Sequence, residues 1–343
     1  MADREKLELY KEYPQPGEEE LAQKLTEYIQ WVILNREFHS GTTTRDVHAK
    51  TVAALKAELT VDPDLPPEMR HGILREPRSW PAWVRYSSSS QTPQKDIKPD
   101  IRGMAMKLMN VPGEKLLPQH EHATTQDFIC LSTDVFLTHN AQEFYDFMVA
   151  FNTDFWHSLW YGITHPKISI SLIQSLKKFA NLMEVQYFSG PQRLGEMAVR
   201  YSLKPSSSRQ SRIPDDPGQN YLREVIDQQL AREEVYYDFM VQVQKDPYRQ
   251  PIEDALVRWS QEISPYQKVA TLRIPKQKVD TPERNQIGEN LSMNPWHSLP
   301  AHQPLGNVNR ARKTVYIAIS RFRHERNLVP MEEPVAGPDF LET

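Results

Sequence analysis

Four stretches of the chain place apolar residues strictly at every second position: Met104, Met106, Leu108; Met197, Val199, Tyr201, Leu203; Tyr237, Phe239, Val241, Val243; and Ala270, Leu272, Ile274. A period of two gives each run one apolar face, which is the signature of a β-strand and not of a helix. Shorter strand-like runs, punctuated by Pro, Ser, Asn and Asp clusters, fill the sequence from about residue 38 to Lys278. The pattern predicts an antiparallel sheet, and closure into a barrel would remove its open edges.

Other segments change period. Leu21, Leu25, Ile29, Val32 and Ile33 predict an amphipathic helix over Glu18 to Phe38. Helix-period apolar positions recur in Ala141 to Asn152 (Phe144, Phe147, Met148, Phe151), Pro166 to Met183, and Asn220 to Val235, so the expected class is α+β. Ser87 to Asp100 and Pro205 to Asn220 read as exposed loops. Thr281 to Gly306 is proline-rich and irregular, and a helical pattern follows from Asn309 to Arg326. The expected organisation is one domain in three parts: an N-terminal helical arm (1–37), a β-barrel with helical inserts (38–278), and a connector leading to a C-terminal helix (279–343).

Composition removes several function classes. The chain has only 12 glycines beside 27 prolines, and it contains no G-x-G-x-x-G, no P-loop and no G-x-S-x-G. Phosphate-cradling loops and the serine-hydrolase elbow are therefore excluded. With 41 basic against 45 acidic residues there is no field to draw a polyanion, so no nucleic-acid partner is expected. The single cysteine, Cys130, sits in the apolar run Phe128-Ile129-Cys130-Leu131 and reads as a buried inert thiol in a reducing compartment. His120 and His122 would share one strand face, but H-E-x-x-H is absent and the pair reads as solvated surface rather than a metal site. The charged start and the lack of an 18-residue apolar run predict a soluble, cytoplasmic protein without a transmembrane segment.

The C-terminal helix carries more chemistry. Arg312, Tyr316 and Arg323 are spaced four and seven apart and project from one face. A guanidinium beside a phenol favours the phenolate by charge and hydrogen bonding, and a buried phenolate is a hard ligand suited to ferric iron. Taken alone, the segment fits a basic surface helix with a core-packed tyrosine better.

A second segment shifts that balance. Arg45-Asp46-Val47-His48-Ala49-Lys50 resembles the R-x-V-H-A-K distal motif of the catalases and catalase-like haem proteins, and Arg312-Lys313-Thr314-Val315-Tyr316 with Arg321 and Arg323 resembles their proximal motif. Between the two, Val84-Arg85-Tyr86-Ser87 is similar to the family's V-R-F-S, Arg102-Gly103-Met104-Ala105-Met106-Lys107-Leu108 to its R-G-F-A-V-K-F, and Asn294-Pro295 through Pro300 to its approach to the proximal helix. The resemblance covers roughly residues 38 to 327 and is thin in the middle.

The resemblance implies a catalase-type barrel holding a ferric haem b, with Tyr316 as the metal ligand and Arg312 as its charge partner. It implies that His48 is the distal acid/base, with its tautomer fixed by Ser87. It further places Phe136 over the porphyrin and pairs Arg45, Arg85 and Arg323 with the propionates. Ideal strand alternation would put Arg45 and His48 on opposite faces, so both roles require a bend. His122-Ala123-Thr124-Thr125-Gln126 lacks the asparagine that true catalases set opposite the distal histidine, and Asp46 replaces an apolar residue. The length suits the haem-enclosing core without the family's large C-terminal extension. The implied function is a haem-dependent oxidoreductase acting on hydrogen peroxide or organic hydroperoxides, peroxidase-like and weak as a catalase. A fatty-acid hydroperoxide isomerase or dehydratase, and a non-catalytic haem sensor or carrier, are the alternatives. Family members commonly associate, which implies a homo-oligomer.

Overall fold

The computed structural model describes residues 6–40 and 43–342, the side chains of 37–40 excepted. The charged start of the chain, residues 1–5, thus lies outside the described residues. Eight antiparallel strands close into a barrel in sequence order: β1 (Lys50–Val61), β2 (Ser79–Ser88), β3 (Arg102–Met109), β4 (Thr125–Leu131), β5 (Tyr187–Leu194), β6 (Met197–Pro205), β7 (Val235–Val243) and β8 (Gln267–Ile274), with β8 returning to β1. Closure leaves no open edge, which meets the expectation from the alternating runs.

Those runs build the core. Met104, Met106, Leu108, Val199, Tyr201, Leu203, Tyr237, Phe239, Val241, Leu272 and Ile274 all belong to one continuous buried cluster. Polar tips inside it are paired: the Tyr86 and Tyr237 hydroxyls lie 2.9 Å apart, and burial pushes both well above the usual phenol range. Cys130 is fully buried, and burial raises its thiol to about 12, so the expectation of an inert thiol stands.

Among the described residues, seven α-helices decorate the barrel. Helix α1 (Glu18–Ser40) runs beside the C-terminal helix α7 (Asn307–Asn327), joined through Leu25, Ile29, Ile33 and Val315. Between β4 and β5 lie α2 (Ala141–Thr153), α3 (Phe155–Thr164) and α4 (Pro166–Ser175); α5 (Tyr221–Leu230) precedes β7, and α6 (Pro282–Asn290) precedes α7. Asn140 caps α2 and Asp154 caps α3 by accepting from backbone N–H groups.

Three helix expectations need correction. The helix expected over Pro166 to Met183 stops at Ser175, because Leu176 is extended and Lys177 then pairs with the backbone of Asp100. The one expected to reach Val235 ends at Leu230, since Val235 already opens β7. Thr281 to Gly306 is not wholly irregular: Thr281 accepts from the Arg284 N–H, and Pro282 starts α6 at its first position.

Candidate functional site

The segment before β1 turns instead of running as a strand. His48 adopts φ +59°, a left-handed conformation rare for a non-glycine residue, and β1 begins only at Lys50. That bend is the one the sequence required: Arg45 and His48 both line a single cavity of about 560 Å³. Ser87, Arg85, Phe136, Arg312, Tyr316 and Arg323 line the same cavity, so all eight residues named from the resemblance are brought together.

The barrel register explains the distal side. Ser87 on β2 sits opposite Gly103 on β3 and Thr51 on β1. Its hydroxyl lies 2.9 Å from His48 Nδ1. Gly103 is what makes room, because a Cβ there would come within 2.7 Å of both the His48 ring and Ser87 Oγ. In the sequence Gly103 is one residue of a strand-like run, and its role follows only from the register. Burial, reinforced by the surrounding Arg85, Arg312, Arg45 and Arg102 charges, lowers His48 to about 3, so the imidazole is neutral at ordinary pH.

Helix α7 supplies the other group. The Arg312 guanidinium donates to Tyr316 Oη at 2.9 Å and to Asn309 Oδ1 at 3.0 Å. Asn309 in turn donates to the Pro191 and Leu305 carbonyls, which fixes the first turn of α7 against β5. At the helix start, Gly306 has φ +91°, and a Cβ there would meet the Ile252 carbonyl at 2.3 Å.

Three guanidinium groups converge on the C-terminal end of α6. Arg45 donates to the Glu289 and Leu291 carbonyls at 3.0 and 2.5 Å, Arg323 to the Glu289 carbonyl at 2.6 Å, and Arg85 to the Gly288 carbonyl at 2.9 Å. Cations suit the negative end of a helix. Burial depresses all three guanidinium groups, and their mutual repulsion deepens it: Arg45 lowers Arg85 and Arg323, the latter to about 9. The Glu289 carboxylate is the acid opposing all three, so the cluster carries surplus positive charge on the cavity wall.

Much of the remaining wall is apolar. Phe136 rests 5.2 Å from Phe144, and Phe144, Phe147, Met148 and Phe151 of α2, Leu172 of α4 and Leu176 just past its end form an apolar side of the lining. Asp46 also reaches the wall, paired with Arg36 at 2.8 Å and Gln91 at 2.9 Å; burial raises it to about 6. None of residues 122–126, the stretch where an asparagine was missed, lies among the lining residues.

The two histidines read as a surface pair are separated. His122 is exposed, whereas His120 closes a short turn and lies beside buried His297, both about 3.5 Å from Glu333 Oε1. Lys107 reaches Glu333 at 2.7 Å and Asp127 at 2.8 Å, so the carboxylates there already have an ammonium partner.

No protein-family model matches the chain, and no curated protein matches it in sequence. Solved structures do. A fungal catalase superposes with a TM-score of 0.66 at 15% identity, covering 86% of this chain and 62% of that one. A bacterial catalase gives 0.67 at 16% identity, covering 95% and 65%, and catalase A from Saccharomyces cerevisiae gives 0.67 at 14%, covering 87% and 65%. The chain therefore spans less than two thirds of the length of the catalases it matches. Its fold, a closed eight-stranded antiparallel barrel with helical inserts, is the catalase fold.

Proposed function

We propose that the cavity binds haem b and that the chain is a peroxidase-like oxidoreductase acting on hydrogen peroxide or organic hydroperoxides. The residues fit the group. An apolar cavity of about 560 Å³ is lined by a phenol held by a guanidinium, by a neutral imidazole, and by three arginines whose positive charge exceeds that of the carboxylate opposing them. A dianionic, largely apolar cofactor complements such a wall. That charge cluster beside the Arg312–Tyr316 pair carries the proposal.

In this reading Tyr316 Oη would be the iron ligand, with the Arg312 guanidinium donating to it at 2.9 Å, and Arg45, Arg85 and Arg323 would hold the propionates. When bound, ferric haem supplies the two-electron redox chemistry. The chain's residues handle the protons. Nδ1–H of His48 donates to Ser87 Oγ, which leaves Nε2 with the lone pair that takes the peroxide's proton and returns it to the departing oxygen. A hydroperoxide thereby becomes an alcohol and water at the expense of two electrons and two protons from an organic donor. Disproportionation needs a second peroxide to be oriented; residues 122–126 supply no carboxamide to the cavity, whose carboxamides are those of Gln91, Gln94, Asn152 and Asn309, and this reading expects peroxidase turnover to exceed catalase turnover.

The test is an assay of the haem-loaded protein with hydrogen peroxide, with and without a phenolic donor. Donor oxidation that outpaces oxygen release supports the reading, and no turnover on any peroxide overturns it. His48→Ala separates an enzyme from a haem carrier: it should keep haem and lose turnover by about a hundredfold or more.

A further inference from the structure

Helices α3 and α4 turn apolar side chains to solvent. Phe155, Trp156, Leu159, Trp160 and Ile163 follow at steps of one, three, one and three along one side of α3, and Ile170 and Ile173 do so on α4. Trp156 is 72% exposed, Phe155 70%, Trp160 68% and Ile173 71%. These are not core residues out of place, because the inner sides of the same helices are already seated: Tyr161 and Ile168 are buried with Phe147 and Met148. A contiguous patch of this kind marks an interaction surface.

Two observations identify what covers it. First, from Phe155 to Met183 the chain has three lysines, the exposed Lys167, Lys177 and Lys178, and no aspartate or glutamate, although the protein's net charge is −4. Exposed tryptophans in a stretch that adds lysines and no acid beyond the α3 cap Asp154 match a phosphate-bearing bilayer surface, where indoles settle at headgroup depth and each lysine gains from anionic lipid. Second, Phe151 and Leu176 are both exposed and both line the cavity, so the patch runs into the cavity mouth.

We propose that α3 and α4 seat the protein on an anionic lipid bilayer surface and that the cavity draws its hydroperoxide, one with a long apolar chain, from that surface. The second half rests on the peroxidase reading of the cavity; the seating does not.

The first experiment is sedimentation of the full chain with vesicles of equal parts phosphatidylcholine and phosphatidylserine. The wild type should sediment with them and be released by salt. The double variant Trp156→Ser, Trp160→Ser should bind at least about tenfold more weakly, and Lys167→Gln about fivefold more weakly. Failure of the wild type to bind, or undiminished binding by the double variant, overturns the seating. So does a wild-type dimer that the double variant dissociates in analytical ultracentrifugation, since a second copy would then own the patch. The second experiment compares turnover of a fatty-acyl hydroperoxide embedded in those vesicles with turnover of hydrogen peroxide. The double variant should lose the first at least tenfold and keep the second; equal rates on both substrates overturn the delivery role. Vesicle binding without turnover of any peroxide would instead be the failure of the peroxidase reading alone.

Discussion

Arg312 and Tyr316 face each other one turn apart on α7: the guanidinium donates to the phenol oxygen at 2.9 Å while its carbon lies 4.9 Å from the ring centre, and Asn309 holds the other nitrogen. The cation is therefore locked beside the oxygen that the proposal assigns to iron. Arg312→Gln removes the charge, and its shorter amide ends short of the position from which the guanidinium donates to Tyr316 Oη. Ferric haem affinity at neutral pH should fall about tenfold or more, since the ligand oxygen loses the hydrogen bond from a charged donor, worth about 1.5–3 kcal/mol. A haem titration followed by absorbance checks it, and unchanged affinity contradicts it.

Gly103 leaves no room for a side chain beside the His48–Ser87 pair. Gly103→Ala should push the imidazole off Ser87, with a stability cost of about 1–3 kcal/mol and a loss of peroxide turnover of about a hundredfold. Urea unfolding and steady-state kinetics report the two separately. Ser87→Ala should be milder, because it frees the ring without displacing it. Equal rates for Gly103→Ala and wild type would show that the ring position does not matter.

Acid should weaken the fold through buried imidazoles. His302 Nε2 accepts from the Ile73 N–H at 3.0 Å, and its Nδ1–H donates to the Tyr201 hydroxyl at 2.8 Å, whose proton goes to the Arg193 carbonyl. Burial, with His71 nearby, lowers this ring to about 3. The unfolded chain binds the proton near 6.5 and the folded one does not, so this histidine's contribution is intact above pH 6.5 and falls toward pH 3 by about 1.4 kcal/mol per unit. His302→Phe should cost about 2–3 kcal/mol at pH 7, where the Ile73 N–H loses its acceptor. It should also flatten the dependence of stability on pH between 6 and 4, as read from urea unfolding across that range. An unaltered slope would contradict the assignment.

Much of this architecture is legible in the sequence because the barrel strands announce themselves by period two. Met104, Met106 and Leu108 alternate for the same reason they are buried: one strand face looks into the barrel. Helix α3 is not legible in that way, since its outer face, with Phe155, Trp156 and Trp160 exposed, is as apolar as a core face. Helix α6 is polar enough to pass for a loop, with Thr281-Pro282 as its main signal. The site residues stand out as motifs at the two ends of the chain, yet their geometry depends on features no local pattern encodes. His48 needs a left-handed turn at a non-glycine position, and the arginine cluster needs the carbonyls of α6, whose polar sequence resembles a loop.

The central claim is that a haem sits in this cavity with Tyr316 as its ligand. Its most direct test is the visible spectrum of the protein titrated with ferric haem, wild type against Tyr316→Phe. The account predicts saturation at one haem per chain with a high-spin, tyrosinate-type spectrum in the wild type, and loss of that spectrum in the variant. A variant that binds haem with the wild-type spectrum, or a wild type that binds none, would contradict it.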